Sequence, residues 1–466
     1  MLPVISRSLT GGLLGAALAA SACATPTRIA QPGTGTLPRD TASAVVVAPA
    51  VDARVALALT ADSVLHDPRF RTAMWAALIV DPATGDTLYS LNPRKLVMPA
   101  SNMKVLTGAV ALHLLGPDFR FRTTFAARCP AARGQCTELL VTGRGDPTVS
   151  ARFHPDPLTP LRAIADSLRA RGITSFSGPL VASGDAFPGS IYGYGWEYDD
   201  LGEYYGAGID DLVFNEGLEA IETLNDSGPG VESRNPAADP RQAYLKALSV
   251  ALRQRGLAHD GIVASDSVRA GAPLPPAVSA ETLFVVQSPP LSEILGAMLK
   301  PSQNQIAEII LRTIGLERTG FGRRDSGAAV VRSQLREWGA DSMEFSIRDG
   351  SGLSRHNYVT AATMVRVLSI MREHPHGAVF HDALPAVGVS GTVQSWLRGT
   401  SAERNAHGKT GTLGAVRAFS GYVRTAVGAT LIYSFICNNY LVPTSAVTAA
   451  IQTMVRHMAE SSLQAR

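Results

Sequence analysis

The chain has 466 residues, 45% hydrophobic and 17% charged, a globular composition too long for one ordinary core. Its 42 Lys and Arg against 39 Asp and Glu leave a net charge of +3. There is no long basic run, so nothing points to nucleic acid as a partner.

The N-terminal segment reads as a targeting signal rather than as part of a fold. Arg7 is followed by a short run rich in Gly, Ala and Leu, then by small residues. This is a secretory pattern, too short and too small in its side chains for a membrane span. A signal peptide is expected over residues 1–24, with Ala-x-Ala cleavage sites at Ala20-Ser21-Ala22 and Ala22-Cys23-Ala24. A second reading is lipoprotein processing that makes Cys23 the first mature residue, although Ala20 stands where such signals usually carry Leu. Membrane contact is expected only through that lipid. On either reading the protein is exported, to the periplasm or another extracytoplasmic space. Residues 25–52, rich in Pro, Thr, Ala and Gly, read as a flexible tether.

Structure is expected to begin near Val55. Strands over Met74 to Val80 and Thr87 to Leu91 flank a turn at Pro82 to Gly85, and a helix starts near Ser101. From Arg120 to about Ala280, strand-like runs ("FRTTFAAR", "TELLVTG", "SGPLVASG") alternate with helical ones ("PLTPLRAIADSLRARG", "PRQAYLKALSVALRQRG"). We assign 120–283 to one or more inserted α+β domains. Within it Cys129 and Cys136 bracket the turn "PAARGQ", and in an oxidising compartment a disulfide there is favoured over two separate thiols. Cys437, in the apolar run "TLIYSFICNN", is expected to be a buried free thiol. No Cys/His spacing suggests zinc, and no metal or cofactor is expected.

Two helical segments follow with a break at Pro301, then the amphipathic "AATMVRVLSIMREHP", three strand-like runs and a closing helix. Two early and three late strands can form one five-stranded antiparallel sheet covered by helices from both ends. The expected fold is therefore α/β (α+β). Its catalytic domain comes from 53–119 and 284–466.

Three short motifs stand in order along this frame. Ser101 and Lys104 are one helical turn apart, Ser302-Gln303-Asn304 lies in the helix break, and Lys409-Thr410-Gly411-Thr412 lies on a strand. Each alone is weak, since Ser302 could be an N-cap and the Lys409 triplet a strand end. Together they match the S-x-x-K, S-x-N and K-T-G set of serine acyl enzymes. A serine hydroxyl needs a base, and Lys104 falls on the same helix face as Ser101. Burial and a neighbouring cation such as Lys409 would free the amine for that task. The helix N-terminus supplies one oxyanion N–H and the strand a second, from Thr412. Ser302 suits proton transfer to the leaving amine, and Asn304 a substrate peptide group. Lys409, with the Thr410 and Thr412 hydroxyls, suits a substrate carboxylate.

With these motifs, and with "TGRGDPTVS", "DGSGLSRHNYVTA", "LPAVGVSGTV" and "AFSGYV", the chain from about Val55 to Met458 resembles a peptidase family. That family is the D-alanyl-D-alanine carboxypeptidase/endopeptidases of the penicillin-binding protein 4 type, the class C low-molecular-mass group (peptidase family S13). The resemblance implies a transpeptidase-like domain interrupted by inserted domains. It implies a serine acyl-enzyme acting on peptidoglycan stem peptides and crosslinks that end in D-Ala-D-Ala, with β-lactams as covalent inhibitors. A serine β-lactamase or esterase on the same scaffold is the enzymatic alternative. A non-catalytic cell-wall binding module is the other, and the intact Ser101, Lys104, Ser302, Asn304 and Lys409 argue against it.

Overall fold

A computed structural model describes residues 52–129, 134–225, 228–263 and 280–464. The expected signal peptide, Cys23 and all of the tether but Asp52 lie outside the described residues. Among the described residues no helix is long and apolar enough to cross a membrane.

The central sheet is antiparallel and five-stranded, in the order 407–413, 416–424, 430–438, 74–80, 87–91. Ala77 stands opposite Phe435, and Lys409 opposite Ser420. The strands at 416–424 and 430–438 are buried on both faces, and the second reads as a nearly continuous apolar run rather than an alternating one. On one face lies a cluster that includes Trp75, Phe419, Tyr433 and Phe435. The helix Ala53–Leu65 and the closing helix Thr444–Glu460 cover it. The first of these helices was not assigned from sequence. Asp52 caps it by accepting from the Arg54 amide at 2.8 Å, and Leu57, Ala61 and Leu65 form its buried stripe.

The helix Met103–Leu115 runs through the core on the other side of the sheet. Every residue from Met103 to Leu112 is buried, which is why its sequence shows no polar face. Gly108 lets it pack closely, since a Cβ there would lie 3.2 Å from the Met298 methyl. Helices Leu291–Leu299, Asn304–Thr319 and Ala361–Glu373 surround it.

A second, mixed five-stranded sheet takes its strands in the order 262–263, 180–183, 138–142, 122–128, 281–287. Helices Thr159–Ala170 and Pro240–Gln254 pack with it around Phe125, Leu139, Leu180 and Tyr244. Its last strand, Glu281–Gln287, pairs with Arg122–Arg128 and spans the expected junction at 283/284. Cys129 and Cys136 are joined by a disulfide, with Cα atoms 4.0 Å apart. Cys437 is buried and unbridged.

Candidate active site

Ser101 does not lie in the regular helix. It occupies a 3₁₀ turn, Ala100–Asn102, that leads into Met103–Leu115. The turn is tightly held. Ala100 has φ +48°, an unfavourable value for a residue with a Cβ. Its carbonyl oxygen would be 1.9 Å from a Cβ on Gly352, and the Pro99 oxygen 2.4 Å from one on Gly411. Two glycines from distant parts of the chain thus allow the Gly352 loop and the Lys409 strand to press against the serine turn.

Lys104 is completely buried and makes three hydrogen bonds through Nζ. Ser101 Oγ lies at 3.0 Å, Asn304 Oδ1 at 2.6 Å and the Ser351 carbonyl at 2.7 Å. Burial brings its pKa down from 10.5 to about 7, while the charges of Asp349 and Glu308 oppose the shift. Lys409 is also fully buried and is held well below the ordinary lysine value, by burial first and then by Lys104 and Arg417. Of the two causes expected from sequence, burial sets both shifts, and the repulsion between the lysines enters only second, at Lys409.

Asn304 joins the two halves of the site. Its oxygen accepts from Lys104, and its amide donates to the Tyr205 carbonyl at 2.9 Å. Gln303 does not face Lys104; it caps the helix, accepting from the Ile306 amide at 2.9 Å. Ser302 sits in the break at φ +69°, half-buried, and its hydroxyl enters none of the hydrogen bonds to Lys104.

The Lys409 strand is the sheet's edge. Lys409 Nζ donates to the Thr410 carbonyl at 2.8 Å, and the Thr410 hydroxyl pairs with that of Thr392 at 2.6 Å. The Thr412 hydroxyl accepts from Arg417. The Gly408 amide donates outward, to Pro385. Amides two apart on a strand point the same way, so those of Thr410 and Gly411's neighbour Thr412 face the open edge.

Sequence reading missed the layer behind these residues. Glu308, one turn beyond Asn304, accepts from the Gly350 and Ser351 amides at 3.0 and 2.8 Å, and so fixes the carbonyl that Lys104 contacts. Burial and the nearby Asp349 raise Glu308 to about 7. Asp349 in turn accepts from the Gly352 and Ser354 amides, Asn357 Nδ2 and, at 3.0 Å, Trp196 Nε1. The i,i+4 relation of Asn304 and Glu308 was visible in the sequence, but nothing there distinguishes it from an ordinary helix surface. "DGSGLS" reads locally as a turn.

A fully buried lysine placed between a serine hydroxyl and an S-x-N asparagine, beside an edge strand, is an arrangement that can activate the serine for acyl transfer. The profile of the D-Ala-D-Ala carboxypeptidase 3 (S13) family matches residues 57–244 and 237–461, and the chain belongs to that family. It is 31% identical to the D-alanyl-D-alanine carboxypeptidase of Actinomadura sp. (strain R39), over 82% of this chain and 81% of the relative. It is 31% identical to carboxypeptidase DacB of Mycolicibacterium smegmatis, over 78% of this chain and 75% of the relative. Among solved structures, penicillin-binding protein 4 (dacB) of Haemophilus influenzae shares the fold with a TM-score of 0.71 at 20% identity. The match covers 85% of this chain and 97% of that one. The chain is thus a serine peptidase of the carboxypeptidase type on a penicillin-binding-protein fold.

Proposed function

We propose that the protein is an exported D,D-peptidase of peptidoglycan, acting as a D-Ala-D-Ala carboxypeptidase and as an endopeptidase on crosslinks through a Ser101 acyl-enzyme. The observation that carries this reading is the set of contacts around Lys104. A neutral amine has two N–H donors and one lone pair. The shorter contacts, to Asn304 Oδ1 and the Ser351 carbonyl, take the two donors, which leaves the lone pair for the Ser101 hydroxyl.

Lys104 takes the Ser101 proton as Oγ attacks the carbonyl of the penultimate D-Ala. The Ser101 and Thr412 amides hold the oxyanion. The tetrahedral intermediate then collapses, the terminal D-Ala amine leaves with a proton delivered through Lys104 and Ser302, and water later cleaves the ester. The substrate peptide lies along the open edge of the Lys409 strand, a strand-addition mode of recognition. Asn304 contacts its amide, and Lys409, Thr410 and Thr412 its terminal carboxylate. A β-lactam enters by the same acylation step. The family, the site and the disulfide between Cys129 and Cys136 all suit an extracytoplasmic enzyme. Cys23 lipidation remains the one proposed route to a membrane.

The test is the intact mass of the mature protein before and after benzylpenicillin, with peptide mapping, followed by D-Ala release from a pentapeptide. A stable adduct on Ser101 together with D-Ala release is expected. Rapid penicillin turnover with no adduct would make the protein a β-lactamase. An adduct on another residue would remove Ser101 as nucleophile.

A further inference from the structure

Behind the Ser351 loop, three guanidinium groups converge on one small cavity. It has a volume of about 240 Å³ and is lined by Tyr194, Arg324, Asp325, Arg332, Ile347 and Arg348, with Ala328 at its base. Arg324 and Arg348 both lie over the Tyr194 ring, 5.6 and 5.5 Å from its centre. Arg332 is anchored by donating to the Ile347 carbonyl at 3.0 Å. Asp325 is the lone acid in the lining. It pairs with Arg324 at 3.1 Å through a carboxylate that is 71% exposed.

Three cations against one acid leave two positive charges at the cavity. Arg332 is held below the ordinary arginine value, by burial first and then by Arg348 and Arg336. Arginines thrown together in water would splay apart. Here Arg324 and Arg348 are kept in place by the aromatic ring, and Arg332 by a backbone carbonyl. The forked donors of guanidinium match oxyanions, and a bound anion would offset the mutual repulsion.

We propose that Arg324, Arg332 and Arg348 form a binding site for a small oxyanion, a phosphate group or a closely placed carboxylate, separate from the serine centre. Tyr194 lies two residues before Trp196, whose indole holds Asp349. An occupied site would therefore brace the segment that supports the Ser351 loop.

The test is the melting temperature of the full mature protein with millimolar inorganic phosphate or N-acetylglutamate, at ionic strength fixed with sodium chloride. A rise of about 3 °C with one or both is expected, lost in R332Q and in R348Q. A response to phosphate alone identifies a phosphate-bearing ligand, and one to N-acetylglutamate alone a carboxylate-bearing one. Arg348 is exposed, so R348Q decides the matter if R332Q does not fold. No rise with either anion, or an equal rise in R348Q, would overturn the proposal. The readout does not use peptidase activity, so it stands or falls apart from the proposed function.

Discussion

Lys104 Nζ lies 3.0 Å from Ser101 Oγ, while its two shorter contacts run to an asparagine 200 residues away and a carbonyl 247 residues away. The local motif supplies the pair, and distant chain fixes the direction of the lone pair. Replacing Lys104 with Ala should slow acylation by β-lactam about 10²- to 10⁴-fold while the protein remains folded. Stopped-flow acylation with a fluorescent penicillin measures this, and near-normal rates would place the base elsewhere.

The same lysine predicts a pH profile. Its amine must be neutral to act, and burial holds its pKa near 7 rather than 10.5. Acylation should therefore rise with pH up to about 7 and level off above it, falling about tenfold per unit on the acid side. An acid limb centred above pH 9 would show that burial does not lower the Lys104 amine.

Glu308 is a positioning residue whose charge favours the protonated lysine. Glu308→Gln keeps an oxygen to accept from the Gly350 and Ser351 amides but removes that charge. The acid limb should move down by well under about one pH unit, because Glu308, raised to about 7, is itself largely neutral on the acid side. A purely structural role would lower the rate at every pH and leave the limb in place.

Gly411→Ala adds a Cβ 2.4 Å from the Pro99 oxygen. The Lys409 strand must then retreat from the serine turn. We expect acylation slower by about ten- to hundredfold, with stability reduced by roughly 1–3 kcal/mol. Acylation kinetics and a urea melt on one preparation measure both, and an unchanged rate would refute the tight-packing argument.

The disulfide closes a loop with a sequence separation of 7. Removing it as Cys129→Ala/Cys136→Ala should cost about 2 kcal/mol, by the loop-closure relation. A shifted urea midpoint with little change in Ser101 acylation is expected, because Cys129 follows the strand Arg122–Arg128 and Cys136 lies on a short strand paired with Ser175–Phe176, neither in the central sheet. Equal loss of acylation in native buffer would show that the two sheets are mechanically coupled.

Much of this protein was legible in its sequence for local reasons. Hydrophobic runs bounded by Gly and Pro marked the five strands of the central sheet. One helical turn separates Ser101 from Lys104, and Pro301 marks the helix break before Asn304. Other features depend on residues far apart in the chain. The helix at Ala53–Leu65 makes sense only once Leu57 and Ala61 face the closing helix, because its exposed positions carry apolar residues too. Ser101 lies in a 3₁₀ turn against which Gly352 and Gly411 pack at the Ala100 and Pro99 carbonyls, a contact no local window contains. The roles of Glu308 and Asp349 follow from which distant amides they accept. The sequence by itself determined which groups could do the chemistry. The tertiary structure decided their proton affinities and directions, because desolvation and hydrogen-bond geometry arise only when distant segments exclude water together.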